Sequence, residues 1–161
     1  MTDTTDRTTA QALVAVERPE SDADLLERAR AFAAGADRRV VVVALATPDE
    51  FEELSATLET IGRTEHTSYT ASDAEAGIAG DAADAAAAVF GDAVDYGVRV
   101  AVAPEAEQAE TLVDIADEVG ADHVFVRGAR RSPTGKAVFG DRTQELLLNF
   151  DGFVTVTTVE A

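Results

Sequence analysis

The stretch VVVVALATPDE, residues 40–50, carries the two signals that decide the fold. Residues 40–45 are apolar at every position, which is typical of a strand covered on both faces, as in a parallel sheet. Thr47, Pro48 and Glu50 then form a capping box with proline at the first helical position. A buried strand followed directly by a helix is the repeating unit of α/β folds with parallel sheets.

The same alternation extends along the chain. The first half begins with a predicted strand over 11–16, a helix capped by Ser21 and ended by Gly35, and a strand over 40–45. A helix from Pro48 to Gly62 follows, and residues 65–70 are predicted as a loop or short strand. A second capping box at Ser72 and Glu75 then opens a helix that runs to Phe90. The second half is predicted as a strand over 98–103, a helix over 104–119 ended by Gly120, a strand over 123–127, a basic loop over 128–140, a helix over 142–150 and a strand over 153–159.

Five strands alternating with helices imply right-handed crossovers and a five-stranded parallel sheet sandwiched by helices, a Rossmann-like α/β fold. The length of 161 residues fits one domain. We expect residues 1–10 to be a flexible tail and residues 11–161 to form the domain.

Composition excludes several classes of function. The chain has no Cys and two His, which rules out disulfides, thiolate chemistry and Cys- or His-rich metal sites. It has 31 Asp and Glu against 13 Lys and Arg, a net charge of −18, which disfavours nucleic acid and anionic membranes as partners. No apolar run reaches the roughly 20 residues of a membrane span, and residues 1–10 lack a signal-peptide pattern, so a cytoplasmic location is expected.

The excess of spread carboxylates, with only one Lys, is also typical of proteins that work in concentrated salt. There the screening length falls to about 3 Å or less, and repulsion among surface carboxylates becomes small. We therefore expect the chain to melt at a higher temperature in multimolar salt than in dilute buffer.

One segment has the opposite charge. Residues 127–142 hold five of the 13 basic residues and one acid. Ligands of open parallel sheets bind at the carboxyl ends of the strands, and glycines leading into a helix start can hold an anion by backbone N–H groups and the helix dipole. The alternative is that these cations pair with the protein's own carboxylates. The candidate anion-binding residues of the segment are Gly128, Arg130, Arg131, Lys136, Gly140, Asp141 and Arg142.

Other motifs do not support an enzyme. Gly135 and Lys136 resemble the end of a P-loop, but Ala137 cannot bind magnesium, and no GxGxxG follows a strand. His66 and Ser68 lie in a polar loop without a nucleophile elbow, and His123 is interpreted as structural. No catalytic and no metal-binding residue is assigned.

The alternating elements and the loop GARRSPTGKAVFGD, residues 128–141, resemble the universal stress protein family over almost the whole chain. In the nucleotide-binding branch of that family the loop reads G-x2-G-x9-G-[Ser/Thr], an Asp after the first strand contacts adenosine, and the end of the second strand borders adenine. By this resemblance Gly128 and Gly140 are the first and last glycines. Glu17 and Leu45 occupy the two adenosine positions.

The sequence departs from that pattern at several positions. Arg131 replaces the second glycine, the loop is one residue short, Glu17 replaces Asp, and Asp141 replaces the Ser or Thr. An Asp carboxylate accepts hydrogen bonds but donates none, and it repels a phosphate about 4 Å away by roughly 1 to 4 kcal/mol.

Two hypotheses follow. The first is a stress-response protein that keeps a site of modest affinity for ATP, AMP or another anion. The second is a dimeric scaffold or interaction module that has lost nucleotide binding. In both, the last strand, residues 153–159, contains no Lys or Pro that would protect an exposed sheet edge, so it needs a partner strand. The resemblance implies that this strand pairs antiparallel with its copy in a homodimer. A related family member on the same edge would give a heterodimer.

Overall fold

A computed structural model of the chain describes residues 11–18, 21–131, 138–139 and 141–160, with only the backbone for residues 129–131, 138–139, 141 and 159–160. The strands are β1 (Gln11–Val16), β2 (Val40–Ala46), β3 (Tyr96–Val102), β4 (Ala121–Arg131), β5 (Val138–Phe139) and β6 (Phe153–Glu160). The helices are α1 (Ala23–Ala36), α2 (Pro48–Glu65), α3 (Ala71–Phe90), α4 (Glu105–Val119) and α5 (Asp141–Asn149). The predicted tail, residues 1–10, lies outside the described residues.

The five long strands form one parallel sheet in the order β3-β2-β1-β4-β6. Val14 of β1 is in register with Val42 of β2 on one side and with Phe125 of β4 on the other. The chain moves outward from β1 to β3 on one side and then crosses to β4 on the other, so strand order reverses between β1 and β4. The predicted parallel α/β sandwich is confirmed, and its ligand-binding crevice is expected at the carboxyl ends of these two strands.

Helices cover both faces of the sheet, which explains why the central strands are apolar throughout. Every residue of β2 is buried. Val14, Val42 and Phe125 pack on one face with α1 and α3, whereas Leu13, Val43 and Val124 pack on the other with α4 and α5. Small residues of α3, among them Ala82 and Ala86, are buried against the sheet as its alanine-rich sequence predicts.

The first capping box is confirmed at atomic detail. Thr47 Oγ1 accepts a hydrogen bond from the backbone N–H of Glu50 at 3.2 Å, and the Glu50 carboxylate accepts one from the N–H of Thr47 at 2.8 Å. These two bonds satisfy two of the N–H groups that the start of α2 would otherwise leave unpaired.

The predicted end of α2 at Gly62 is wrong. The helix continues to Glu65, and His66 ends it in the left-handed conformation with φ of 57°. A Cβ on Gly62 would lie 2.6 Å from the carbonyl oxygen of Thr67. The glycine therefore allows the following loop to fold back on the helix and does not terminate it.

Boundaries of other helices also differ from prediction. The cap position of α1 is Asp22 and not Ser21, and α1 passes through Gly35 to Ala36. The capping box of α3 is formed by Thr70 and Asp73, whose carboxylate accepts from the N–H of Thr70 at 2.6 Å, and not by Ser72 and Glu75. The sequence holds two overlapping capping patterns there, and the earlier one is used.

The predicted basic loop begins later than expected. β4 extends to Arg131, and β5 pairs antiparallel with its last two residues. Arg130 is paired with Phe139 of β5 and with Glu160 of β6, which must lie on opposite edges of β4. β5 therefore lies on the β1 side of β4, beyond the end of β1.

The His123 side chain on β4 is engaged in contacts within the protein. Its Nε2 lies 2.7 Å from Thr155 Oγ1, and its ring stacks on Phe125 and contacts Phe32. Burial lowers the pKa of His123 despite the opposing effect of Asp122. No helix of the described residues is long and apolar enough to span a membrane.

Candidate functional site

The crevice between β1 and β4 is filled by side chains from four elements. Glu17 follows the last residue of β1, Arg127 lies on β4, Gln108 on α4 and Arg142 in the first turn of α5. Asp22, at the start of α1, completes the group. Because α4 and α5 pack on the same face of the sheet, residues far apart in sequence meet at its carboxyl edge.

Arg142 is bound on two sides of its guanidinium group. Nη1 and Nη2 donate to the two carboxylate oxygens of Glu17 at 2.8 and 3.0 Å, which is the bidentate geometry of strong Arg–carboxylate pairs. The same two nitrogens also donate to Gln108 Oε1 at 2.8 Å and to the carbonyl oxygen of Arg127 at 3.1 Å. Of the two partners predicted for this cation cluster, an external anion or the protein's own carboxylates, Arg142 contacts an internal carboxylate in this structure.

Gln108 is buried and fixes one of these contacts. Its side chain is in the core between α4 and the sheet, with 2% of the residue exposed. Nε2 donates to the carbonyl oxygen of Ala103 at 3.2 Å, which turns Oε1 toward Arg142. A buried amide with both ends paired is a rigid acceptor for the guanidinium.

Arg127 is also paired with carboxylates of the chain. Nε donates to Asp22 Oδ1 at 2.7 Å, and Nη2 contacts Asp24 and the carbonyl oxygen of Ser21. Burial lowers the pKa of Arg127, but the hydrogen bonds and charges of the two aspartates outweigh it and the net shift is upward. Burial alone would raise the pKa of Asp24. The hydrogen bond and the charge of Arg127 outweigh burial, so the pKa of Asp24 is lowered.

Asp22 connects this pair to the segment after β1. Its second oxygen, Oδ2, accepts from the backbone N–H groups of Glu17 at 2.9 Å and of Arg18 at 3.2 Å. Its side chain is only 4% exposed. Three carboxylates thus face two guanidinium groups, and the described part of the crevice carries no excess of positive charge.

A hollow beside the crevice lies at the ends of β1 and β2. It has a volume of about 150 Å³, and Leu45, Leu54 and Ile78 are among its apolar lining residues. Glu17, Glu50 and Asp81 line it as well. Sites for drug-sized ligands typically enclose about 300–1,000 Å³, so this hollow by itself is smaller than such a site.

Gly128 is buried against other residues of the protein. A Cβ at this position would lie 2.8 Å from Val156 Cγ1 and 3.0 Å from Thr143 Oγ1. Close packing of β6 and α5 on β4 is therefore a sufficient reason for the glycine. The predicted role of Gly128 in holding an anion is not needed to explain the glycine.

Replacing Gly128 by Ala is expected to lower the free energy of unfolding by about 1–3 kcal/mol through overpacking. Gly80→Ala is the matched control, because Gly80 lies within α3 with open space around it and should gain roughly 0.5–1 kcal/mol. Urea unfolding of both variants at one salt concentration measures the difference. Equal stability of Gly128→Ala and the unchanged protein would contradict the packing reason.

The predicted site residues divide into two groups. The structure brings Glu17, Leu45, Gly128 and Arg142 to the same end of the sheet. Lys136 and Gly140 lie outside the described residues, as do the side chains of Arg130, Arg131 and Asp141. Asp22 and Gln108 were not among the predicted site residues, although an acid at a helix start next to the end of a strand is a signal that could have indicated Asp22.

Comparison with known proteins agrees with this arrangement of elements. The model of the universal stress protein family matches residues 10–157. A universal stress protein from Archaeoglobus fulgidus has 21% identity and a TM-score of 0.57, with 91% of this chain and 97% of that chain covered. A universal stress protein in complex with cAMP has 19% identity and a TM-score of 0.57, with 93% and 98% covered.

A universal stress protein from Archaeoglobus fulgidus in complex with dAMP has 16% identity and a TM-score of 0.51, with 91% of this chain and 96% of that chain covered. No curated protein matches the sequence significantly. At these identities the solved structures establish the fold, while the family model covers nearly all of the sequence. The chain therefore belongs to the universal stress protein family.

Proposed function

We propose that this family member is a stress-response protein that acts as a dimeric interaction module, with its nucleotide site closed by its own side chains. The observation that carries the proposal is the bidentate pair of Arg142 and Glu17. Glu17 has the position at which the family's nucleotide-binding branch uses an Asp to contact adenosine. In this chain the Glu17 carboxylate is hydrogen-bonded to Arg142, and an incoming phosphate would have to displace Glu17 to bind that guanidinium group.

Charge supports the same conclusion. A phosphate entering the crevice would meet Glu17, Asp22 and Asp24, while Arg127 and Arg142 are already paired. Two like charges about 4 Å apart repel by roughly 1 to 4 kcal/mol at dielectrics between those of water and a protein surface. Such repulsion lowers nucleotide affinity by about fivefold to several hundredfold, at 1.4 kcal/mol for each factor of ten.

A second candidate function is a site of modest affinity for ATP or AMP. The hollow beside Leu45 favours it, since its apolar floor lies where the family places adenine. In this reading Glu17 and Leu45 contact adenosine, and the phosphates are bound by Gly128, Arg130, Arg131, Lys136, Gly140, Asp141 and Arg142. The two relatives in complex with cAMP and dAMP share the fold and add support.

Calorimetric titration with ATP and AMP separates the two candidates. We expect no saturable binding at millimolar nucleotide, either by the unchanged protein or by Asp141→Ser, which restores a donor at the family's Ser or Thr position. Saturable binding that Asp141→Ser strengthens would overturn the proposal in favour of the second candidate. In that case Arg130→Ala with Arg131→Ala should weaken it.

The proposed dimer uses β6. Within the described residues β6 pairs only with β4, and Phe153 at its start is 70% exposed. An unprotected edge strand of this kind favours pairing with a second chain, either a copy or a relative. The high negative charge supports the further proposal that the dimer works in concentrated salt.

A further inference from the structure

A groove separates the start of α1 from the middle of α3, on the face of the sheet that these two helices cover. It encloses about 630 Å³, more than the hollow beside Leu45, and lies within the range of about 300–1,000 Å³ that is typical of small-molecule sites. Arg18, Ser21 and Ala23 line it on the α1 side. None of the described residues predicted to contact a nucleotide lines it, so the groove is distinct from the crevice between β1 and β4.

The floor of the groove is apolar and is formed by one side of α3. Ala85, Ala88 and Val89 lie three or four residues apart, so their side chains follow one another along the helix. Ala85 and Val89 are half-buried and pack against the core, whereas Ala88 is exposed. Because alanine side chains are short, this side of α3 leaves room for the apolar part of a ligand.

Two carboxylates stand beside this floor. Asp81 and Asp84 lie on the same side of α3 as the alanines, one helical turn apart, and both line the groove. Both residues are exposed, and neither forms an ion pair within the described part of the chain. A cationic group that enters the groove therefore meets two carboxylates without having to displace a partner from them.

The α1 side of the groove carries a cation on a fixed backbone. Arg18 donates its N–H to Asp22 Oδ2 at 3.2 Å, and its carbonyl oxygen accepts from the N–H groups of Ser21 at 2.8 Å and of Asp22 at 3.0 Å. Unlike Arg127 and Arg142, Arg18 forms no ion pair with the residues that the structure describes, although the chain has 31 acids. Its guanidinium group is thus held at the base and open to an anionic group.

We propose that the groove between α1 and α3 binds a small zwitterion. The anionic end of the ligand, a carboxylate, pairs with Arg18. The cationic end, an ammonium group, pairs with Asp81 and Asp84, and the apolar body between them lies on Ala85 and Ala88. A ligand with one charge alone would leave one wall unpaired and be repelled by it. This site goes beyond the proposed function, because it lies outside the crevice and does not depend on whether the crevice is closed.

Binding of 6-aminohexanoate tests the proposal. Hexanoate and hexylammonium are the comparison probes, because they have the same apolar body and a single charge. Amide chemical shifts of the isotope-labelled protein are followed at the lowest salt concentration at which it is folded. We expect saturable shifts at Ala85 and Ala88 with millimolar 6-aminohexanoate. Each singly charged probe should bind about three- to fivefold more weakly, the effect of one exposed ion pair.

Two charge variants identify which end of the ligand each wall binds. In Arg18→Gln, 6-aminohexanoate should bind no better than hexylammonium. In the double variant Asp81→Asn with Asp84→Asn, it should bind no better than hexanoate. Arg28→Gln is the matched control, because Arg28 is also exposed and forms no ion pair in the described residues, but it does not line the groove. It should bind all three probes like the unchanged protein.

Ala88→Leu tests the floor of the groove. The larger side chain should fill the space above α3 and abolish saturable binding of 6-aminohexanoate, while the exposed position lets the variant fold. Ala87→Leu is the matched control, since Ala87 is the preceding residue of the same helix and is exposed but does not line the groove. It should leave the affinity unchanged.

Four results would overturn the proposal: no saturable shifts with 6-aminohexanoate, equal affinities for the three probes, an unchanged preference in the charge variants, or equal effects of Ala88→Leu and Ala87→Leu. Each differs from the result that overturns the proposed function, which is binding of ATP or AMP by the unchanged protein. A groove that binds no zwitterion would thus leave the proposed function standing.

Discussion

Replacing Asp22 by Ala is expected to lower the free energy of unfolding by about 3–5 kcal/mol, the cost of breaking a buried ion pair by removal of one partner. The carboxylate accepts from Arg127 Nε and from the backbone N–H groups of Glu17 and Arg18. All three donors lose their acceptor in the variant. The Arg127 side chain, 19% exposed, then keeps only the exposed Asp24 as a charged partner.

Asp24→Ala is the matched control for this prediction. Asp24 pairs with the same guanidinium group, but its side chain is 59% exposed, and exposed pairs contribute about 0–1 kcal/mol. Urea unfolding followed by circular dichroism measures both variants. Equal losses in the two variants would show that burial of Asp22 does not set the strength of this contact.

Local chemistry made much of the fold predictable from the sequence. The run at residues 40–45 is apolar because β2 lies in the middle of a sheet covered on both faces, and the structure buries all of it. The capping box of Thr47 and Glu50 needs only residues within one helical turn, so it could be identified without knowledge of the rest of the chain. Both predictions depend on neighbours in sequence.

Glycine was harder to interpret, because one residue type serves several physical purposes. Gly120 ends α4 with φ of 71°, as predicted. Gly62 lies inside a helix and makes room for Thr67, and Gly128 makes room for Val156 and Thr143. The last two purposes depend on which segments pack together, which no local pattern reveals.

The pairing at the candidate site could not be predicted for the same reason. Glu17 and Arg142 are 125 residues apart, and Gln108 and Arg142 are 34 apart. The sequence showed a cluster of cations and allowed both an external anion and internal carboxylates as partners. In the structure Arg127 and Arg142 contact internal carboxylates, because strand order brings the segment after β1 against β4 and the start of α5.

Light scattering on the unchanged protein is expected to give a dimer, twice the chain mass of 16.9 kDa. Phe153→Glu is expected to weaken the dimer by roughly 10- to 100-fold, since tenfold corresponds to 1.4 kcal/mol and burying a Phe side chain contributes about 1.5–3 kcal/mol. The variant also adds a carboxylate to an interface between two chains that each carry a net charge of −18.

The single chain should tolerate Phe153→Glu, because Phe153 is 70% exposed and lies at the start of an edge strand. Its circular dichroism spectrum should therefore match that of the unchanged protein while its mass falls to that of one chain. Ile61→Glu provides the control: Ile61 is also a partly exposed apolar residue, at 40%, but it lies on α2 and not on the β6 edge. If the dimer survives Phe153→Glu, or if Ile61→Glu disrupts it equally, the interface does not lie at β6. If the unchanged protein is a monomer, the prediction of a dimer is wrong.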